Sequence, residues 1–245
     1  YSVRLVLEAA GLSVGWQPGC WVLRDISFSL AAGELVGIIG PSGCGKSTLC
    51  QALAGIIPRQ LPREVKGKIL LLGRNLAALS LPEIAADLGI VFQDPETQLF
   101  LPRVRNELAF GPENLCLPRE EIGMRIERIA EELGCQDLLE ANPNQLSGGQ
   151  QQLIALAAVL ALEPKLLILD EVTAQLDPQT CARLQAIIGG LRRRGMAVLM
   201  VEHNLAQLAA ADRIFALRNG QLAEAAAADL VDDEALRRVY GGGRE

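Results

Sequence analysis

Short apolar runs, nearly unbroken, punctuate this chain. Residues 166–169 read Leu-Leu-Ile-Leu and end in Asp170-Glu171; residues 197–201 repeat the form and end in Glu202-His203. Continuous apolar runs of this length suit parallel strands covered on both faces, so both are expected in the middle of a sheet, with their acids at its C-terminal edge. A third run, residues 34–39, feeds a glycine-rich stretch, and residues 89–92 predict a further strand. Elsewhere the pattern alternates. Residues 5–7, the set Ile26, Phe28 and Leu30, and residues 68–72 predict strands with one buried face, giving an early part that mixes β-hairpins with one βα unit. Residues 213–217 and Gln221–Glu224 flank Asn219-Gly220, a strong two-residue hairpin signal.

Helical spacing shows in other places. Ile122, Ile126, Ile129 and Leu133 recur on one face of residues 119–133, with Glu120 and Glu121 in the first turn and Gly134 as the expected C-cap. Residues 148–162 are apolar almost all round and predict a buried helix, while Leu81–Asp87 predicts a short one. Beyond residue 225 an Ala- and Asp-rich segment is expected to be helical, and Gly241-Gly242-Gly243 to be a linker or frayed end.

Composition narrows the options. The chain has 245 residues, half of them hydrophobic, enough for a substantial core. Its net charge is -6 and its basic residues are scattered, apart from Arg192-Arg193-Arg194, which suit a helix end better than a nucleic-acid footprint; no nucleic-acid partner is expected. The six cysteines lack paired C-x-x-C spacing and are expected as reduced thiols rather than a metal site or disulfide framework. The longest apolar run, residues 153–162, is too short to span a bilayer, so any membrane part belongs to another polypeptide.

The candidate chemistry begins at Gly40-Pro41-Ser42-Gly43-Cys44-Gly45-Lys46-Ser47-Thr48, between an apolar strand and a helix over residues 49–54. Glycines let such a loop turn its N–H groups inward around phosphates before a helix N-terminus that also favours anions. Lys46 is then placed to reach the β- and γ-phosphates, and the Ser47 hydroxyl to reach Mg²⁺. Leu146-Ser147-Gly148-Gly149-Gln150 offers a second small-residue helix start, either a phosphate-binding element or a plain N-cap made by Ser147.

With that pentapeptide lying between the phosphate loop and the acidic strand, the sequence resembles the ATP-binding cassette (ABC) ATPases over nearly its whole length. The resemblance implies an α/β fold: a P-loop NTPase (RecA-like) core, an N-terminal antiparallel β subdomain and an inserted α-helical signature subdomain. Residues 1–94 and 164–224 are expected to form the β and core parts of one ABC ATPase domain, 95–163 the helical part, and 225–245 a C-terminal helix and tail. It also implies ATP and Mg²⁺ as ligands. Asp170 matches the acid that helps hold Mg²⁺, and Glu171 the general base that orients the attacking water. His203, the chain's single histidine, matches the switch histidine on the γ-phosphate. Gln93 matches the glutamine that senses Mg²⁺ and water and links them to a membrane partner. Leu176-Asp177 resembles the segment that communicates across a dimer. Trp16 stands where an aromatic often stacks on adenine, with hairpin packing the open alternative.

In this family two ATPs are held head-to-tail between two ATPase domains, so Ser147, Gly148, Gly149 and Gln150 are expected to act on a partner's nucleotide. The partner domain is a second copy, a different subunit or the other half of a tandem chain. Gln93-Asp94-Pro95-Glu96-Thr97-Gln98, residues 106–114 and Thr173-Ala174-Gln175-Leu176-Asp177-Pro178 resemble the ATPases of energy-coupling factor (ECF) importers for vitamins and transition-metal ions. There a transmembrane coupling subunit is expected to dock near Gln93, Asp94 and Glu96, whose carboxylates suit its arginines; an ordinary acidic loop is the alternative. The chain is accordingly expected at the cytoplasmic face of the membrane. Leu153 and Val172 depart from the family pattern, replacing an arginine and a proline, and the tail beyond Glu224 is shorter than in many ECF ATPases. Soluble ABC proteins of translation or DNA repair, and ATPases of other ABC transporter classes, are the competing readings; a plain P-loop kinase or GTPase has no need of the signature.

Overall fold

The computed structural model describes residues 4–17, 19–174 and 176–225; the expected C-terminal helix and tail lie outside them. In chain order, the hairpin of β1 (Leu5–Gly15) and β2 (Trp21–Ala31) leads into β3 (Leu35–Ile39), α1 (Lys46–Leu53) and the short α2 (Ile56–Arg59). Then follow β4 (Glu64–Leu71), β5 (Arg74–Asn75), α3 (Leu81–Asp87) and β6 (Leu88–Val91). Three helices come next, α4 (Val104–Asn114), α5 (Arg119–Leu133) and α6 (Gly148–Leu160). β7 (Leu166–Asp170), α7 (Pro178–Arg193), β8 (Ala197–Glu202), β9 (Arg213–Arg218) and β10 (Gln221–Glu224) complete the described chain.

The strands form two sheets. One is antiparallel, ordered β2-β1-β4-β5; the other runs β10-β9-β3-β8-β7-β6, parallel except for the β9–β10 hairpin. The apolar runs form the inner strands of the parallel sheet, as expected from burial on both faces. Leu166 and Ile168 of β7 point into the core shared with the antiparallel sheet, whereas Leu167 and Leu169 point into the core under the helices. β8 divides its residues likewise, Leu199 and Val201 against Val198 and Met200. A helix face of α5, carrying Ile122, Ile126, Ile129 and Leu133, joins the second core, and Gly134 closes that helix at φ 56.

Register fixes where the chemistry sits. Ile39 pairs with Glu202 and Asp170 with Val201, so the C-terminal ends of β3, β7 and β8 meet at one edge. In open parallel sheets that edge is where ligands bind.

Several elements go beyond what the pattern predicts, β2 and β4 among them, which begin at Trp21 and Glu64. β1 continues from the expected residues 5–7 to Gly15, because register shifts between Ala10 and Ser13 and on either side of Leu12 break the alternation that marks a strand. α4 holds Gly111 and Pro112 within its span, residues that ordinarily argue against a helix. It sits close against Leu162: a Cβ at Gly111 would fall 2.9 Å from Leu162 Cδ2, so a larger residue there would have to push that side chain aside. α7 opens on an Asp177 cap and Pro178 and reaches the Arg192-Arg193 end that charge alone had marked.

Candidate active site

The loop from Gly40 to Gly45 carries the chain from β3 to the first turn of α1. Gly45 takes φ 107 and Gly43 φ 78, conformations that a side chain would strain. Gly40 is tight as well: a Cβ there would fall 2.7 Å from both Cys44 Sγ and the Leu217 carbonyl. Lys46, almost fully buried, turns back into this loop, donating to the Gly40 carbonyl at 2.8 Å and the Pro41 carbonyl at 3.0 Å.

The same ammonium lies 3.0 Å from Glu171 Oε1. Glu171 sits just past β7 at φ 51, its N–H bonded to the Val201 carbonyl at 2.9 Å. Its other oxygen, Oε2, is 3.7 Å from His203 Nδ1. Glu171 therefore stands between the loop lysine and the histidine that follows β8. Asp170 is buried beside it, and burial lifts its carboxyl above the ordinary value. The Ser47 hydroxyl and Lys46 oppose that rise, and the Glu171 charge adds to it.

Asp170 Oδ1 is buried with no hydrogen-bond partner, a costly arrangement unless something binds it. A hard oxygen of this kind beside a serine hydroxyl suits Mg²⁺, which needs only one or two protein oxygens when nucleotide phosphates and water supply the rest. The described residues hold no cluster of three or more His, Cys, Asp or Glu able to bind a metal by themselves.

Trp16, Val22, Ser42, Gly43, Gly45, Lys46, Ser47, Thr48, Gln93 and Glu171 line one cavity of about 470 Å³. Trp16 is 59% exposed at its margin, and the Arg63 guanidinium lies 3.6 Å from its ring centroid. Gln93, exposed after β6, follows a residue whose carbonyl accepts a 3.1 Å hydrogen bond from Gln152 of α6.

The signature residues lie elsewhere. Ser147 caps α6, its Oγ accepting from the Gln150 N–H while Gln150 Oε1 accepts from the Ser147 N–H at 2.9 Å. Ser147, Gly148, Gly149 and Gln150 line a second cavity, of about 360 Å³, together with Leu153, Leu176, Asp177 and Arg183 among others. Asp177 caps α7 through the Gln179 N–H at 2.9 Å and the Thr180 N–H at 3.0 Å, and its carboxyl is held below its usual value chiefly by the Thr180 hydroxyl. The two cavities share no lining residue.

Other groups near the site belong to no sequence motif. Glu202 is 0% exposed, neither carboxylate oxygen makes an ordinary hydrogen bond, and burial pushes its pKa up to about 7 against the opposing pull of Thr173. Gln152 and Arg63 also escaped the reading, because their partners are distant in sequence.

The model of the family described as ABC transporter matches residues 23–174, and the chain belongs to this family: it is an ATP-binding, ATP-hydrolysing domain of the ABC type. Several of its relatives are named as ATP-binding proteins of energy-coupling factor transporters. It is 39% identical over 234 residues, 95% of this chain and 84% of the relative, to the energy-coupling factor transporter ATP-binding protein EcfA of Methanosarcina acetivorans. It is 36% identical over 220 residues, covering 89% of this chain and 77% of the relative, to EcfA1 of Oceanobacillus iheyensis. The solved structure of CbiO1 from Clostridium perfringens, described as part of the ABC transporter complex CbiONQ, superposes with a TM-score of 0.82 at 29% identity, covering 96% of this chain and 94% of that one.

Proposed function

We propose that the chain is the ATPase subunit of an ECF-type importer for a vitamin or a transition-metal ion, working as one of two ATPase domains at the cytoplasmic face of the membrane. The observation that carries the paired arrangement is the separation of the two cavities, which share no lining residue. One domain supplies Gly40, Pro41, Ser42, Gly43, Cys44, Gly45, Lys46, Ser47 and Thr48 to the phosphates and Trp16 to the adenine. The other supplies Ser147, Gly148, Gly149 and Gln150, with Asp177 at the contact between domains. On this reading residues 1–94 and 164–224 are the β and core subdomains, and 95–163 the helical one.

Ser47, Asp170 and Gln93 are assigned to Mg²⁺, which when bound with nucleotide offsets phosphate charge. Glu171 accepts the proton of the attacking water. Its 3.0 Å contact with Lys46 supports this role, because a nucleotide phosphate that draws the ammonium away leaves the carboxylate free. His203, on the other side of Glu171, is assigned to the γ-phosphate. Closure of the pair with ATP and reopening after hydrolysis convert binding energy into motion.

Gln93, Asp94 and Glu96 are assigned to docking of the transmembrane coupling subunit. Two exposed aromatics support a partner there: Phe100, shortly after Glu96, and Phe110 of α4 pack edge-to-face with centroids 5.0 Å apart, 64% and 43% exposed. Exposed aromatic pairs of this kind are typical of interface anchors. No helix among the described residues is long and apolar enough to cross a membrane. The test is coexpression with the membrane proteins encoded beside it: sedimentation with membranes, lost when Phe100 and Phe110 are both changed to Ser, supports the assignment. Recovery with ribosomes or DNA instead refutes it.

A further inference from the structure

Trp16 is a large, exposed indole in the turn between β1 and β2, fixed along its backbone by a 3.1 Å bond from its N–H to the Cys20 carbonyl. Nothing about a turn holds such a side chain in one rotamer, yet a stacking platform must be ordered before the base arrives or the ordering cost is taken from affinity. β4 supplies the means. Gly15 pairs with Glu64 in the antiparallel β1–β4 ladder, so the next residues outward, Trp16 and Arg63, face each other across the strand ends. The Arg63 guanidinium stacks 3.6 Å from the indole centroid and is itself anchored by donating to the Pro62 carbonyl at 2.9 Å. The nucleotide cavity is lined by Trp16 but not by Arg63. Of the stacked pair, then, the indole borders the cavity and the guanidinium does not, so one indole face is occupied by Arg63 without Arg63 entering the space for the nucleotide.

We infer that Arg63 is a positioning residue for nucleotide recognition, a cationic backing that holds Trp16 in the orientation in which its free face receives the adenine. The inference rests on the assignment of Trp16 to the base made above. An arginine in this place also makes a cation–π contact with the indole assigned to the base, and single-strand nucleic-acid binders likewise combine base–aromatic stacking with cation–π contributions from arginine. It touches neither the phosphates nor the reacting atoms.

The test uses the full chain with Trp21→Phe, so that Trp16 is the only indole. Trp16 fluorescence is followed during titration with ATP, and inorganic triphosphate is titrated in competition. Arg63→Ala is expected to shift the emission of the free protein, to weaken ATP about three- to tenfold, and to leave triphosphate affinity unchanged. Arg63→Lys is expected to recover only part of the loss, since an ammonium lacks the planar stack. Equal losses for ATP and triphosphate, unchanged ATP affinity, or tighter ATP binding on removing Arg63 would each overturn the inference. Trp16→Ala, which leaves no indole in this background and is therefore titrated by calorimetry, separates the two levels: if it leaves the ratio of ATP to triphosphate affinity unaltered, the base assignment itself fails. If that ratio falls with Trp16→Ala but not with Arg63→Ala, only the role of Arg63 fails.

Discussion

Lys46 and Glu171 form an ion pair of 3.0 Å across the nucleotide cavity, joining the phosphate loop to the end of β7. Both groups are largely withdrawn from water, so the contact is stronger than a surface pair, and each charge satisfies the other until a phosphate competes for the lysine. The pair thereby ties the group assigned to water activation to the group assigned to phosphate binding.

Removing the carboxylate charge should separate hydrolysis from binding. Glu171→Gln is expected to lower phosphate release by about 10²- to 10⁴-fold, the usual range for loss of a general base, while ATP still drives pairing of the domains. Phosphate release and size-exclusion chromatography with ATP check both halves. Loss of ATP binding in this variant would refute the base assignment.

Removing the ammonium should act on binding. Lys46→Ala takes away a charge-assisted contact to phosphate, expected to weaken ATP by about ten- to a hundredfold in equilibrium titration. It also strands Glu171 without its partner, so a modest fall in melting temperature without nucleotide is expected beside the affinity loss. Unchanged affinity would contradict the loop assignment.

The signature is expected to act on a neighbour. Ser147→Arg places bulk and charge at the cap of α6, remote from the phosphate cavity of its own chain. Hydrolysis and ATP-driven pairing should disappear, while labelled ATP still binds the single domain. A parallel loss of ATP binding in the single domain would show that Ser147 serves its own site.

Glu202 gives the protein a pH-dependent term. Its folded pKa, about 7, lies above the ordinary 4.5, so the native state binds the proton more tightly than the unfolded chain. The resulting stabilisation is complete below pH 4.5, falls as pH rises, and is gone above about pH 7. Integrated over that window it amounts to about 3 kcal/mol. Glu202→Gln, neutral at every pH, is expected to raise the melting temperature at pH 8 clearly more than at pH 5. Equal shifts at the two values would show that the carboxyl is not protonated in the fold.

The sequence by itself determined the parts whose cause is local. An unbroken apolar run announces a strand covered on both faces, hence β7 and β8; an Asn-Gly pair announces the β9–β10 hairpin, where Asn219 and Gly220 both take positive φ. The phosphate loop and the signature are equally local, because a glycine, a lysine and a helix start act through a few adjacent backbone groups. α4 and the outer half of β1 were not legible, since packing against Leu162 and bulged pairing override the weak local preference of Gly111, Pro112 and the residues near Gly11. Only the tertiary structure decided which charges meet. The parallel register carries Asp170, Glu171 and Glu202 to the edge where Lys46 starts its helix, and the β1–β4 ladder sets Arg63 against Trp16. Those pairs lie far apart in the chain, and their energies depend on distance and burial, quantities that exist only once the sheets have formed.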